Sequence, residues 1–261
     1  MERHWSRPAT SVRAATAIRT DEPLLPKAAI EALQGGRLEI IGRLTDASNA
    51  TFLCDVDLGE DAEAVRAVYK PTRGERPLDD FPTGTLANRE AAAFALSEAT
   101  GWSIVPPTIL RDGPLGRGMV QLWIEPDPEA DVIEMVTTDD ARLRRICVFD
   151  ALANNADRKG GHLLPMGDGH IYGVDHGICF AAEPKLRTIL WAWRGQALSD
   201  DEMAVVRLVS DALDAELGQR LAALLSPAEL AATKRRVSAV LGSGRFPQPD
   251  PHRPAVPWPP F

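Results

Sequence analysis

The sequence predicts an α+β fold in two segregated parts. Three observations carry this. Alternating, β-branched segments crowd residues 37–70 and 104–124, helical patterns dominate from residue 139 onward, and a proline-marked stretch, EPDPEAD, lies between. The expected organisation is a mobile N-terminal segment 1–24, a β-rich lobe 25–124, a mainly helical lobe 125–245 and a proline-rich tail 246–261.

In chain order, Pro26 sits at a helix start, AAIEALQ follows, and Gly35-Gly36 ends the helix. RLEIIGRL (37–44), TFLCDVDL (51–58) and AVRAVYK (64–70) read as strands, the first two joined by the loop TDASNA. The segment 71–86 is rich in Pro, Gly and Asp and reads as a loop. ANREAAAFALSEAT (87–100) is a helix closed by Gly101. IVPPTIL (104–110) and RGMVQLWI (117–124) are two further strands around a DGPLG turn. In the second half, 139–153 is helical with Leu143, Ile146, Cys147, Phe149 and Leu152 as its buried stripe. A polar loop, NNADRKGG, leads into the hairpin HLLPMGDGHIYGVDHG. Helices are expected at 199–217, 217–225 and 226–241, the last capped by Ser226 with Pro227 and Glu229 behind it. The tail RFPQPDPHRPAVPWPPF is extended, docked or disordered.

Composition narrows the class. The 261 residues are 44% hydrophobic and 25% charged, as in ordinary globular proteins. A net charge of -8 argues against a general nucleic-acid binder and gives no field to hold an anionic membrane. No apolar run is long enough to span a bilayer, and the N-terminus lacks the apolar core of a secretory signal. Cys54, Cys147 and Cys179 are scattered in apolar runs, which fits reduced thiols in a cytoplasmic protein. Basic residues are almost all arginine. Of the five lysines only Lys70 stands in an apolar stretch.

Four constellations carry candidate chemistry. The first is NADRKGGHLL…YGVDHG. A hairpin brings its two ends together, so Asp157 and His162 should meet Asp175 at one mouth. Two carboxylates and an imidazole suit phosphoryl transfer, where one Asp orients or deprotonates the acceptor hydroxyl and another holds a divalent cation. The second is Lys70, at the end of its strand, with Glu90 early in the next helix. A carboxylate partner keeps a phosphate-binding lysine charged and aimed. The third is the TDASNA loop, whose backbone N–H groups, with Ser48 and Asn49, offer a phosphate cradle without a GxGxxG or Walker pattern. The fourth is MVQLWIEPDPE, where Gln121, Trp123 and Ile124 offer backbone and apolar contacts to a purine. Taken singly, each residue also fits a plain structural role: a helix cap, a strand-end lysine, a hairpin loop, a packed core. The two tryptophans of WAWRG read as core.

The order of these features resembles a protein-kinase-like fold. The details are similar to the phosphatidylinositol 3-/4-kinase-like family, especially its type II phosphatidylinositol 4-kinases and the HipA-type kinases. KPTRGE resembles that family's Lys-Pro loop start, NREAAAF…VPPT its helix and following strand, NADRKGGH its Asp-Arg catalytic loop and VDHG its metal-binding segment. The chain also resembles a branch of actinobacterial phosphatidylinositol-kinase-like proteins that end in a similar VPWPPF tail. The resemblance implies a two-lobed kinase using ATP and Mg²⁺ or Mn²⁺. Lys70 and Glu90 would serve the nucleotide, Asp157 with Arg158 and Lys159 the catalytic loop, and Asp175 the metal. His162 stands where the family carries Asn, so the metal preference and the activity itself are open at that residue.

The function expected is an ATP- and metal-dependent phosphotransferase whose partners are a nucleotide and an acceptor of unknown class: lipid, protein or small molecule. A pseudokinase, binding nucleotide or scaffolding without turnover, is the alternative. A metal-dependent hydrolase ranks last because it gives Lys70 and Glu90 no role. The HRPAVP segment is a weak match to a proline-rich peptide ligand, which makes a protein partner for the tail a further reading.

Overall fold

Every second residue of the VRAVYKP strand is buried, as one face of a sheet on a core requires. The structure, a computed structural model, describes residues 5–6, 26–44, 49–59 and 62–261. Most of the segment 1–24 and residues 45–48 of the TDASNA loop, Ser48 included, lie outside the described residues. The chain divides into two compact units, Met1–Ala91 with Pro106–Trp123 and Ala92–Val105 with Ile124–Phe261. The fold is α+β, an antiparallel sheet in the first unit and mainly helices in the second.

The first unit holds β1 (Trp5–Ser6), α1 (Pro26–Gly35), β2 (Arg37–Leu44), β3 (Phe52–Asp57), β4 (Val65–Pro71), the start of α2 (Leu86–Thr100), β5 (Thr108–Gly113) and β6 (Gly116–Leu122). The strands pair antiparallel in the order β1-β2-β3-β4-β6-β5. Leu33 of α1 packs with Leu38, Cys54, Val56, Val65, Ala67, Tyr69, Ile109 and Val120 into one core. Each such aliphatic side chain contributes about 1.5–3 kcal/mol on burial. The Arg111 guanidinium donates to the carbonyls of Leu33 and Gly36, at 2.6 and 2.9 Å, and so closes the C-terminal end of α1. The β5–β6 turn wraps the Tyr69 ring, whose hydroxyl donates to the Gly116 carbonyl. A Cβ on Gly113 or Gly118 would lie 2.8 Å from that ring, which explains the glycines of DGPLGRG. The strand begins at Thr108 rather than at residue 104, because Pro106 and Pro107 supply no N–H to a ladder.

In the second unit α3 (Val132–Thr137) is capped by Asp131, whose side chain accepts from the Glu134 N–H. This short helix directly follows the proline-marked stretch 125–131 and was not expected from the sequence. α4 (Arg144–Ala153) is buried from Ile146 to Ala153 on every side, not on one stripe. β7 (Leu163–Pro165) and β8 (Ile171–Gly173) form the expected hairpin. α5 (Asp200–Leu213), α6 (Glu216–Ala222) and α7 (Pro227–Ser243) follow, with capping boxes at Ser199/Glu202 and Ser226/Glu229. Residues 92–105 group with this unit, where the sequence reading kept them in the first. The Ile104 carbonyl accepts from the Gly173 N–H at 2.7 Å and the Ser103 carbonyl contacts the His170 ring at 3.0 Å.

Glu202 also ties α5 to α4. Burial alone would push its carboxyl up, but bidentate contact with Arg144, at 2.9 and 2.8 Å, and the Ser199 N–H reverse this and hold it below its usual value of 4.5. A depressed carboxyl stabilises the fold above its unfolded value, and the contribution disappears as pH falls through the folded value. Glu202→Gln keeps the capping box and loses the charge. It should cost roughly 1–3 kcal/mol at pH 7 in denaturant melts, and the gap should narrow below about pH 4.5. A gap that stays constant across that range would show that the charge contributes nothing.

Candidate active site

In the first unit, the β-strand alternation that buries Tyr69 turns Lys70 to the other face. There the Lys70 Nζ sits 2.7 Å from Glu90 Oε1, with the two side chains 20% and 2% exposed. α2 brings Glu90 to this point because its start is fixed by the Glu75 carboxylate, which accepts from the N–H groups of Leu86 and Ala87 at 3.2 and 2.9 Å. A carboxylate on the orphan donors of a helix start is the expected stabilising pairing. Arg89, one residue before Glu90, is buried over the Phe81 ring at 4.8 Å, which ties the 71–86 loop to the helix.

In the second unit, α4 ends at Asn154 in the left-handed conformation, its side chain donating to the carbonyls of Ala181 and Glu183 and accepting from the Lys185 N–H. The chain then bends at Ala156. Arg158 forms a parallel bridge with Thr188, so its side chain points one way and those of Asp157 and Lys159 the other. Arg158 is wholly buried. Its guanidinium donates to both oxygens of Asp150, at 2.8 and 2.9 Å, to the carbonyls of His162 and Val174, at 3.3 and 3.1 Å, and meets His176 Nε2 at 2.7 Å. Burial by itself would lower the guanidinium's pKa, yet the Asp150 carboxylate more than offsets this and holds it raised. Gly173 leaves room for the guanidinium, since a Cβ there would stand 3.2 Å from it.

This buried centre joins the Asp157 loop to the far end of the hairpin. The Val174 N–H donates to the His162 carbonyl at 3.0 Å, and His162 Nε2 lies 3.5 Å from Asp175 Oδ2. Asp175 has φ 62, a left-handed backbone that few residues adopt and that Asp tolerates. Its carboxylate is 52% exposed and His162's ring 16%. Asp157 keeps its carboxylate near two cations, Lys159 Nζ at 3.2 Å and Arg187 Nη2 at 3.7 Å, and its N–H donates to the Asn155 side chain.

Protein Rv2133c of Mycobacterium tuberculosis (strain ATCC 25618 / H37Rv) is 44% identical to the chain over 264 residues, covering 88% of this chain and 94% of the relative. The chain belongs to the Rv2133c family. No family model matches this member of the Rv2133c family. Among solved structures, the Helicobacter pylori proinflammatory kinase CtkA is similar at a TM-score of 0.47 and 11% identity, over 81% of this chain and 93% of that one.

For this Rv2133c-family chain the residues singled out from sequence fall into three groups. Lys70 meets Glu90, and His162 meets Asp175. Asp157 and Lys159 meet each other, while Arg158 turns inward and acts on the loop rather than on a substrate. Of the remainder, Asn49, Gln121 and Trp123 are engaged in structure. Asn49 Oδ1 accepts from the Arg76 N–H at 2.8 Å, and Gln121 donates its amide to Thr108 at 2.8 Å. The N–H groups of Leu122 and Trp123 donate to Pro107 and Arg66 within the sheet, and Ile124 begins the second unit. Asp150, Asn155, His176 and Arg187 were missed. Only Asp150 gave a signal: a carboxylate inside the apolar run CVFDALA needs a buried partner. Among the described residues, no group of three or more His, Cys, Asp or Glu is gathered as a metal cage. No described helix is long and apolar enough to cross a membrane.

Proposed function

We propose that the protein is an ATP- and divalent-metal-dependent phosphotransferase of the kinase-like, two-lobed kind. The observation that carries this reading is the Lys70–Glu90 pair, formed across 20 residues of sequence at 2.7 Å with the carboxylate almost wholly buried. A surface ion pair of that kind would be worth little, whereas a buried carboxylate holding a partly exposed ammonium is how a lysine is aimed at phosphate oxygens.

Asp175 and His162 would hold a divalent cation that keeps much of its own water, because they offer one half-exposed carboxylate and one imidazole rather than a cage. Mg²⁺ or Mn²⁺ held there would neutralise the phosphate charge that grows during transfer. Asp157 accepts the proton of the acceptor hydroxyl, or orients it, at its carboxylate oxygens. Lys159 and Arg187 beside it suit an acceptor bearing acidic or phosphate groups. Arg158 holds the loop at its backbone and leaves the reacting groups alone. The phosphatidylinositol-kinase-like assignment and a lipid acceptor belong to this proposal, as do ATP and the metal. The overall charge of -8 weighs equally toward a protein or small-molecule acceptor. One observation favours the pseudokinase alternative. The imidazole of His162 stands against Asp175, where a hard amide oxygen would serve Mg²⁺ better.

Thermal melts with ATP and either Mg²⁺ or Mn²⁺ test the reading on the wild type and on Asp175→Ala. The expected result is a metal-dependent rise of about 5–10 °C in the wild type at a hundredfold excess over Kd, absent in Asp175→Ala. No rise with either metal would remove the nucleotide site.

A further inference from the structure

The geometry points to a clamp on the Asp157–His162 loop, built from the chain's own proline-rich segment. Residues 255–261 dock on the second unit through carbonyls, because prolines at 257, 259 and 260 have no N–H to give. The Ala255 carbonyl accepts from the Thr188 N–H at 3.0 Å and from the Trp191 indole at 2.9 Å. The Pro260 carbonyl accepts from the Gly160 N–H at 2.8 Å. The Phe261 ring then lies on Gly160, where a Cβ would fall 2.1 Å from its nearest carbon.

Three extended pieces therefore run in layers. The Asp157 loop lies against residues 187–189, through Arg158 N–H to the Arg187 carbonyl at 3.0 Å and Ile189 N–H to the Arg158 carbonyl at 3.2 Å. The proline-rich segment lies on 188–191 and returns to the loop at Gly160. That glycine stands between the carboxylate proposed as base and the imidazole proposed as metal ligand, and it opens the turn from which His162 issues. A segment so rich in proline is stiff before it docks, so little conformational freedom is lost when it closes. Pro260 and Phe261 are thus positioning residues for the loop. Their effect on catalysis rests on the phosphotransferase reading, while their effect on the loop does not.

The test uses the full chain with Phe261→Ala, Gly160→Ala and the double variant. Phe261 is 38% exposed, so its loss leaves the core intact, and a thermal melt checks this. Hydrogen exchange across residues 157–162 should rise about tenfold in each single variant. In the double variant it should rise no further than in Phe261→Ala, because the added methyl no longer meets the ring. ATP turnover, read as ADP release, should fall on the order of tenfold in kcat with KM for ATP unchanged, and Phe261→Leu should recover part of it. Unchanged exchange overturns the clamp whatever the activity. A rise in kcat overturns it too, since the ring would then be a plug over the acceptor side. A wild type without ATP turnover sinks the phosphotransferase reading, and exchange alone then decides the clamp.

Discussion

Replacing Asp157 with asparagine should slow phosphate transfer from ATP by roughly 10²–10⁴-fold while nucleotide binding persists. Asparagine keeps the size of the side chain and its place beside Lys159 and Arg187, but its amide takes no proton from an acceptor hydroxyl. The acceptor being unknown, water and the protein's own hydroxyls serve as acceptors in the assay, with ADP release and label transfer from the γ-phosphate as readouts. The metal-dependent rise in melting temperature should survive in Asp157→Asn and disappear in Asp175→Ala, because the two carboxylates are given different tasks. Turnover equal to the wild type would remove Asp157 from the mechanism. Loss of nucleotide binding along with turnover would mean that the carboxylate serves the nucleotide rather than the acceptor.

Arg158→Met should destabilise the protein by about 3–5 kcal/mol, the penalty for leaving the Asp150 carboxylate buried without its counter-charge. For a chain of this size that is a fall of about 10 °C in the melting midpoint. Arg158→Lys should recover little, since an ammonium cannot reach both Asp150 oxygens, two carbonyls and His176 at once. The pair Arg158→Met with Asp150→Leu should recover much of the loss, because it removes both charges from the interior. A single Arg158→Met variant as stable as the wild type would show that water already reaches Asp150.

These residues also show where reading the sequence succeeds and where it stops. The α+β pattern is visible because alternation of period two marks β4, β-branched and aromatic content marks β3, and capping residues mark α7. Lys70 and Glu90 stand out because each is a charged residue that its own element places beside an apolar run. Arg158 looked like a site residue because it follows Asp157. Its inward direction is set by the bridge to Thr188, far along the chain, and no local pattern encodes that. Gln121 and Trp123 were legible as strand residues, but the partners that take up their amide and N–H groups are fixed only by sheet pairing. α3 escaped because six residues are too few for a periodic signal, and the prolines before it read as linker. Docking of the tail stood beside extension and disorder as an alternative, and its partner was not legible. Proline content says that a segment is extended and leaves its partner unstated.

The contact between Gly160 and residues 260–261 sets a timetable for the growing chain. Phe261 lies 101 residues beyond Gly160. At about 5–20 residues per second, the ribosome makes the clamp roughly 5–20 s after the loop that it closes on. Arg158, by contrast, lies only 8 residues from Asp150 and 18 from His176, so the charged knot tightens early from neighbouring sequence. During that interval the knot and the 187–189 segment shape the loop, and Asp157 stays on a hinge that only later synthesis latches.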